Sequence, residues 1–162
     1  MGVKGLDKII RAIAPNSVKI KTMKDYRGKS VAFDASPQIY RFVIAIRGSS
    51  LGEDLKTSDG RLASHIYGIF DRNLSLLKND IVPVWSFDGH PPDIKKTTLQ
   101  ERKRRKIKAT VDLENEIYAN EAEKTRLLKK TFCIKDEHIR DLQRMFRYMG
   151  IAYNQAVGEA EA

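Results

Sequence analysis

The sequence predicts an α/β fold with a mainly parallel central sheet, and three observations carry that expectation. Two short apolar runs, Val31-Ala32-Phe33-Asp34 and Val84-Trp85-Ser86-Phe87-Asp88, each stop on an aspartate, the pattern of a buried strand ending at a polar edge. The stretch between them has helical periodicity long enough for a crossover, so the two strands should be parallel neighbours. A third run, Ile151-Ala152-Tyr153, leads into Gly158-Glu159-Ala160-Glu161. Strands are therefore expected near 30–34, 82–87 and 151–153, with their carboxyl ends on one edge, where open α/β sheets place their sites.

The remaining elements follow in order. Leu6, Ile9, Ile10 and Ile13 recur at helical spacing, and Pro15 ends that helix. Gly28 punctuates before the first strand. After Asp34, Ser36-Pro37 reads as a helix start, a hydroxyl cap followed by proline at the first helical position. Ile39, Phe42, Val43 and Ile46 give this helix its apolar face, with Tyr40, Arg41 and Arg47 off it. From Gly48 to Gly60 the chain turns polar and glycine-containing, a long loop expected to be mobile without a partner. Helical period returns with Ile66, Ile69, Phe70, Asn73 and Leu77. From about 93 to 130 charge dominates, with Leu99, Ile107, Val111, Leu113 and Ile117 thinly spread. A helix polar nearly all round does not lie on a core, so one or two helices should project here, partly disordered when alone. Ile139, Leu142, Phe146 and Met149 then mark an amphipathic helix that Gly150 closes.

At 162 residues the chain suits one domain with a real core. Lys and Arg number 30 against 21 Asp and Glu, a net +9 that favours a polyanionic partner, nucleic acid or an anionic membrane surface. No apolar run reaches the length of a membrane span, and Leu6 stands where a myristoylation motif wants Ser or Thr. Cys133 is the only cysteine, which excludes an intramolecular disulfide and a cysteine zinc cluster and suits a reducing compartment. His65, His90 and His138 are scattered, and each reads as packed or solvent-facing rather than as a ligand.

Asp34, Asp88, Glu159 and Glu161 are the candidate metal ligands. Carboxylate oxygens are hard donors suited to Mg²⁺ or Mn²⁺, and two such ions about 4 Å apart can activate a water and stabilise a leaving oxygen of a phosphodiester. Each residue also has a plain structural use. Asp34 can cap a helix, although Ser36 looks better placed; Asp88-Gly89 is an ordinary turn pair; Glu159 and Glu161 suit a helix start. The basic run Lys95-Lys96, Arg102-Lys103-Arg104-Arg105-Lys106 and Lys108 begins seven residues after Asp88, so its first turns must stand beside the acidic edge. Lys95 and Arg102 share a helical face that can meet the metals, whereas Lys103 and Lys108 read as a solvated face, and a localisation signal is another use of such a run. A haloacid-type phosphatase would want Asp-x-Asp, which Asp34-Ala35-Ser36 does not supply.

These residues also carry a family resemblance. Met1-Gly2-Val3-Lys4-Gly5-Leu6, Val31-Ala32-Phe33-Asp34-Ala35-Ser36 with Ile39-Tyr40, Phe87-Asp88-Gly89-His90-Pro91-Pro92, Met149-Gly150-Ile151 and Glu159-Ala160-Glu161-Ala162 resemble flap endonucleases, in the same order. The resemblance implies a PIN-like or resolvase-like three-layer sandwich with a charged helical arch at about 93–130. It implies a Mg²⁺-dependent nuclease, with two ions in the complete enzyme and Mn²⁺ able to substitute, that cuts 5′ flaps and has 5′–3′ exonuclease activity in DNA replication and repair. By position, Asp34, Asp88, Glu159 and Glu161 match metal-binding carboxylates, and Lys95 and Arg102 match the catalytic basic pair. Gly2, Tyr40, Arg47, Arg72 and Arg105 match residues that line the site or contact DNA, while His90 replaces the lysine usual in its motif. The implied partners are branched DNA with a 5′ flap and, through a tail absent here, a sliding clamp, with no membrane. The implied location is intracellular, and nuclear in a eukaryote. Flap endonucleases continue past this point into strands with further aspartates, so residues 1–162 are expected to form an N-terminal nuclease region that binds DNA but does not cut it alone. The rival reading is a non-catalytic module that recognises branched DNA.

Overall fold

The structure, a computed structural model, describes residues 5–47, 54–115 and 117–160. Gly2, Glu161 and residues 48–53 of the glycine-containing loop after Arg47 lie outside them. Among the described residues nine α-helices and β-strands follow in chain order: α1 (Leu6–Ile13), β1 (Ser30–Asp34), α2 (Ala35–Arg47), α3 (Ser64–Lys78), β2 (Val82–Phe87), α4 (Lys96–Glu114), α5 (Glu121–Thr131), α6 (Asp136–Met149) and β3 (Ala152–Gln155). The three strands form one sheet in the order β1-β2-β3, all parallel, as expected.

Register explains a proline in the central strand. The Val82 N–H donates to Lys29 on the β1 side, so residue 83 faces the other way. Pairing with β3 begins only at Val84, and Pro83 therefore breaks no ladder bond.

The core forms where the helices meet this sheet. α2 and α3 pack on each other and on β2, while α6 packs on α3 and β3. Trp85 is fully buried, with ring centroids 5.2 Å from Phe33 and 5.4 Å from Phe146. Its indole N–H donates to Asn73 Oδ1 at 2.9 Å, so the one polar atom of the largest core side chain is satisfied. α6 ends on Gly150 in the left-handed region, φ 67°, where the missing Cβ matters. No helix among the described residues is long and apolar enough to cross a membrane.

Three expectations need correction, and one reading gains detail. α2 begins at Ala35, and its cap is Asp34, whose Oδ1 accepts the Ser36 N–H at 2.9 Å. The Ser36 hydroxyl is engaged elsewhere. The last strand runs one to two residues later than its apolar pattern suggests, because Tyr153, Asn154 and Gln155 pair with Trp85, Ser86 and Phe87. His65 of α3 and His138 of α6 fit the packed reading, both buried, with tilted rings whose centroids lie 4.8 Å apart. The charged segment is two helices, and they do not simply project: α4 and α5 pack together, α5 reaches α2, and Ala109 and Leu127 are buried. The Arg47 Nη1 also donates to the Leu128 carbonyl at 3.0 Å, tethering α5 to the end of α2.

Candidate metal and DNA-binding edge

Asp34 is the last residue of β1 and pairs in register with Ser86, so Asp88 stands two residues further along the same edge. Ser36 joins them. Its main-chain N–H holds Asp34, and its Oγ–H donates to Asp88 Oδ2 at 2.6 Å. The other Asp88 oxygen, Oδ1, accepts the Ala160 N–H at 3.0 Å. Both half-buried aspartates are thus brought together and turned by fixed donors.

The segment after β3 is strapped across the same edge. Gly89 N–H donates to the Gly158 carbonyl at 2.6 Å, His90 N–H to the Val157 carbonyl at 3.1 Å, and the Gln155 amide to the Asp88 carbonyl. A Cβ at position 89 would collide with the Ala156 and Val157 carbonyl oxygens, so only glycine allows the two strand exits to lie this close. The strap delivers Glu159, whose carboxylate pairs with the Lys95 ammonium. Lys95 closes the short helical turn Asp93–Lys95, directly before α4. The basic run therefore does begin beside the acidic edge.

Other sequence candidates fall in different surroundings. Tyr40, on α2, lies edge-on to Phe132 with ring centroids 5.4 Å apart. Burial pushes its phenol above the ordinary tyrosine range, Cys133 adds to this, and the Ile134 main chain and the Arg102 charge oppose it. The Arg102 charge is thus felt at Tyr40. Arg47 is tied down: Nε and Nη2 each lie 2.7 Å from an Asp54 oxygen, and the guanidinium covers Phe132. Arg72 lies 5.9 Å from the Phe33 ring, and its Nε is buried without a hydrogen-bond partner. Arg105 is exposed and sits 3.5 Å from Glu101 one turn earlier.

The donor set can be tested against a divalent cation. All candidate ligands are oxygens, and Mg²⁺ is commonly held by one or two carboxylates while keeping waters and binding substrate phosphate. Asp34 and Asp88, held by one serine, fit that demand. Among the described residues no three His, Cys, Asp or Glu side chains gather closely enough to cage an ion alone. A cavity of about 520 Å³ opens beside the edge, lined by Asp88, His90, Arg140, Gln143 and Gln155 among others. A larger one, about 600 Å³, lies between Arg47, Phe132 and His138 and contains none of the candidate ligands. Chemistry, not size, selects the first. Sequence reasoning missed Ser36 as the link and Gly89 as the close approach; the hydroxyl two residues after Asp34 and the glycine after Asp88 were the available signals.

The XPG N-terminal domain family model matches residues 1–109. Flap endonuclease 1 of Glycine max is 39% identical over 163 residues, covering 100% of this chain and 42% of that protein. Flap endonuclease 1 of Bos taurus is 37% identical over the same span and is likewise covered to 42%. The chain thus spans about two fifths of these relatives. Among solved structures, the catalytic core of Rad2 in complex with DNA substrate aligns with TM-score 0.61 at 27% identity, over 99% of this chain and 40% of that one. Flap endonuclease-1 from Methanococcus jannaschii aligns with TM-score 0.58 at 30% identity, over 88% of this chain and 45% of that one.

Proposed function

We propose, because this chain belongs to the XPG N-terminal domain family, that its acidic edge and basic α4 serve a 5′ flap endonuclease with 5′–3′ exonuclease activity, acting in DNA replication and repair. The observation that carries this reading is the joined edge: Asp34 and Asp88 held by Ser36, with Glu159 brought alongside and paired to Lys95. Asp34, Asp88, Glu159 and Glu161 would hold Mg²⁺, two ions in the full site, with Mn²⁺ as a substitute. Bound there, the metal supplies an activated water and neutralises charge on the leaving oxygen. Lys95 and Arg102 hold the scissile phosphate and stabilise the charge that develops on it. Gly2, Tyr40, Arg47, Arg72 and Arg105 line the path of the branched DNA, and the helical arch is α4 with α5. The named DNA complex of Rad2 supports a DNA partner for the same fold. A sliding clamp and a nuclear location extend the same reading.

The test is cleavage of a labelled 5′-flap substrate by the full-length protein with Mg²⁺, beside a 3′-flap and a blunt duplex. Cutting confined to the 5′-flap junction supports the reading. A second reading, a branched-DNA-binding module without catalysis, is favoured by the lack of any three-ligand group among the described residues. Tight 5′-flap binding without cutting would select it.

A further inference from the structure

We infer that Ser36 is a positioning residue that sets the two strand-end aspartates relative to each other for divalent-cation binding, an inference resting on the metal-site reading above. Ser36 occupies the second position of α2 and uses two different donors. Its main-chain N–H is fixed by the helix and holds Asp34 Oδ1 at 2.9 Å. Its hydroxyl hydrogen goes to Asp88 Oδ2 at 2.6 Å, across 52 residues of chain. Asp34 therefore keeps its cap whatever side chain stands at 36, while Asp88 loses one of two orienting donors when the hydroxyl is removed. The Ala160 N–H on Asp88 Oδ1 is the other.

The consequence concerns lone pairs. A carboxylate offers about four acceptor positions, and with one donor on each oxygen the remaining ones are fixed in direction. Ser36 thereby selects which Asp88 lone pairs face a cation. It also holds together two negative charges that would otherwise drift apart, a geometry that becomes favourable only when a cation arrives. Outer-shell partners of ligating carboxylates typically change metal affinity by roughly 10–100-fold.

The experiment is Mn²⁺ binding to the full-length protein without DNA, followed by electron paramagnetic resonance, for the parent, Ser36→Ala, Ser36→Thr and Asp88→Asn. Metal-free thermal unfolding is recorded in parallel. Ser36→Ala should raise the Mn²⁺ midpoint roughly tenfold, at the lower end of that range, with unchanged metal-free unfolding. Ser36→Thr, which keeps the hydroxyl, should restore the parental midpoint. Parental Mn²⁺ binding by Ser36→Ala, with binding lost in Asp88→Asn, would overturn the positioning role and leave the metal site standing. Parental binding by Asp88→Asn would overturn both. If Ser36→Ala fails to fold, Ser36→Cys, a weak donor of similar size, takes its place with the same two outcomes.

Discussion

If Lys95 and Arg102 hold the scissile phosphate, as proposed, they separate chemistry from binding at single positions. Lys95 already sits on a carboxylate at the acidic edge, and the Arg102 charge reaches Tyr40. A cation at the scissile phosphate acts mainly on transition-state charge. Replacing either residue by alanine should lower the cleavage rate by orders of magnitude while flap affinity changes modestly, as single-turnover kinetics beside a binding titration would show. Lys103 and Lys108, exposed on α4, should behave oppositely: alanine there weakens binding and lowers the log–log salt slope by about 1 each. Normal cutting by Arg102→Ala would remove it from the site. In the core, Trp85→Phe deletes the indole bond to Asn73 Oδ1, whose amide nitrogen is already buried without a partner. Urea unfolding should show a loss of about 1–3 kcal/mol, the usual penalty for a buried polar group left unpaired.

At the scale of elements, α3 and α6 meet through a buried histidine pair, which gives this contact a pH dependence. Burial and then the neighbouring His138 hold His65 down to about 4 from 6.5, with Asp141 and Glu137 opposing more weakly. His138 is lowered too, chiefly by burial, and its Nδ1 accepts the Lys135 N–H. An unfolded chain takes up a proton below about 6.5 that folded His65 refuses until about 4. Stability is therefore full above that window and falls as pH drops through it, by on the order of 3 kcal/mol. Denaturant midpoints measured across this range check it; a flat profile would contradict it.

The same pair shows what the sequence could and could not reveal. Strands running out to Asp34 and to Asp88, the residue after β2, were legible because a short apolar run that stops at a carboxylate marks a buried strand leaving the core for a polar edge. The His65–His138 contact was not, since it depends on how α3 and α6 cross. The role of Ser36 was hidden for a related reason. A cap is a local choice, but this hydroxyl is claimed by Asp88, a residue that only the parallel pairing brings near. The composition of the charge-rich segment lacks a wide apolar face and so points to projecting helices; two small contacts, Ala109 and Leu127, and the Arg47 tether dock it nonetheless. So little buried area should leave α4 labile. Its amides should exchange with solvent well before those of α2 and β2 in DNA-free protein, and equal protection would contradict this.

Across the whole molecule, a net charge of +9 coexists with carboxylates concentrated at one sheet edge and the Lys95–Arg105 run beginning beside it. Under the proposed reading, long-range attraction to a polyanion and local accommodation of a divalent cation would converge on the same end of the sheet. The strap from Gly89 to Ala160 closes that end, and Gly89→Ala should disturb the edge more than any surface change nearby. The most direct measurement is Mg²⁺-dependent 5′-flap cleavage by the full-length protein carrying Asp88→Asn, with flap binding followed in the same samples. Asparagine keeps the shape and removes the charge. Cleavage lost with binding retained is the expected result, and cutting at the parental rate would contradict a catalytic role for the acidic edge.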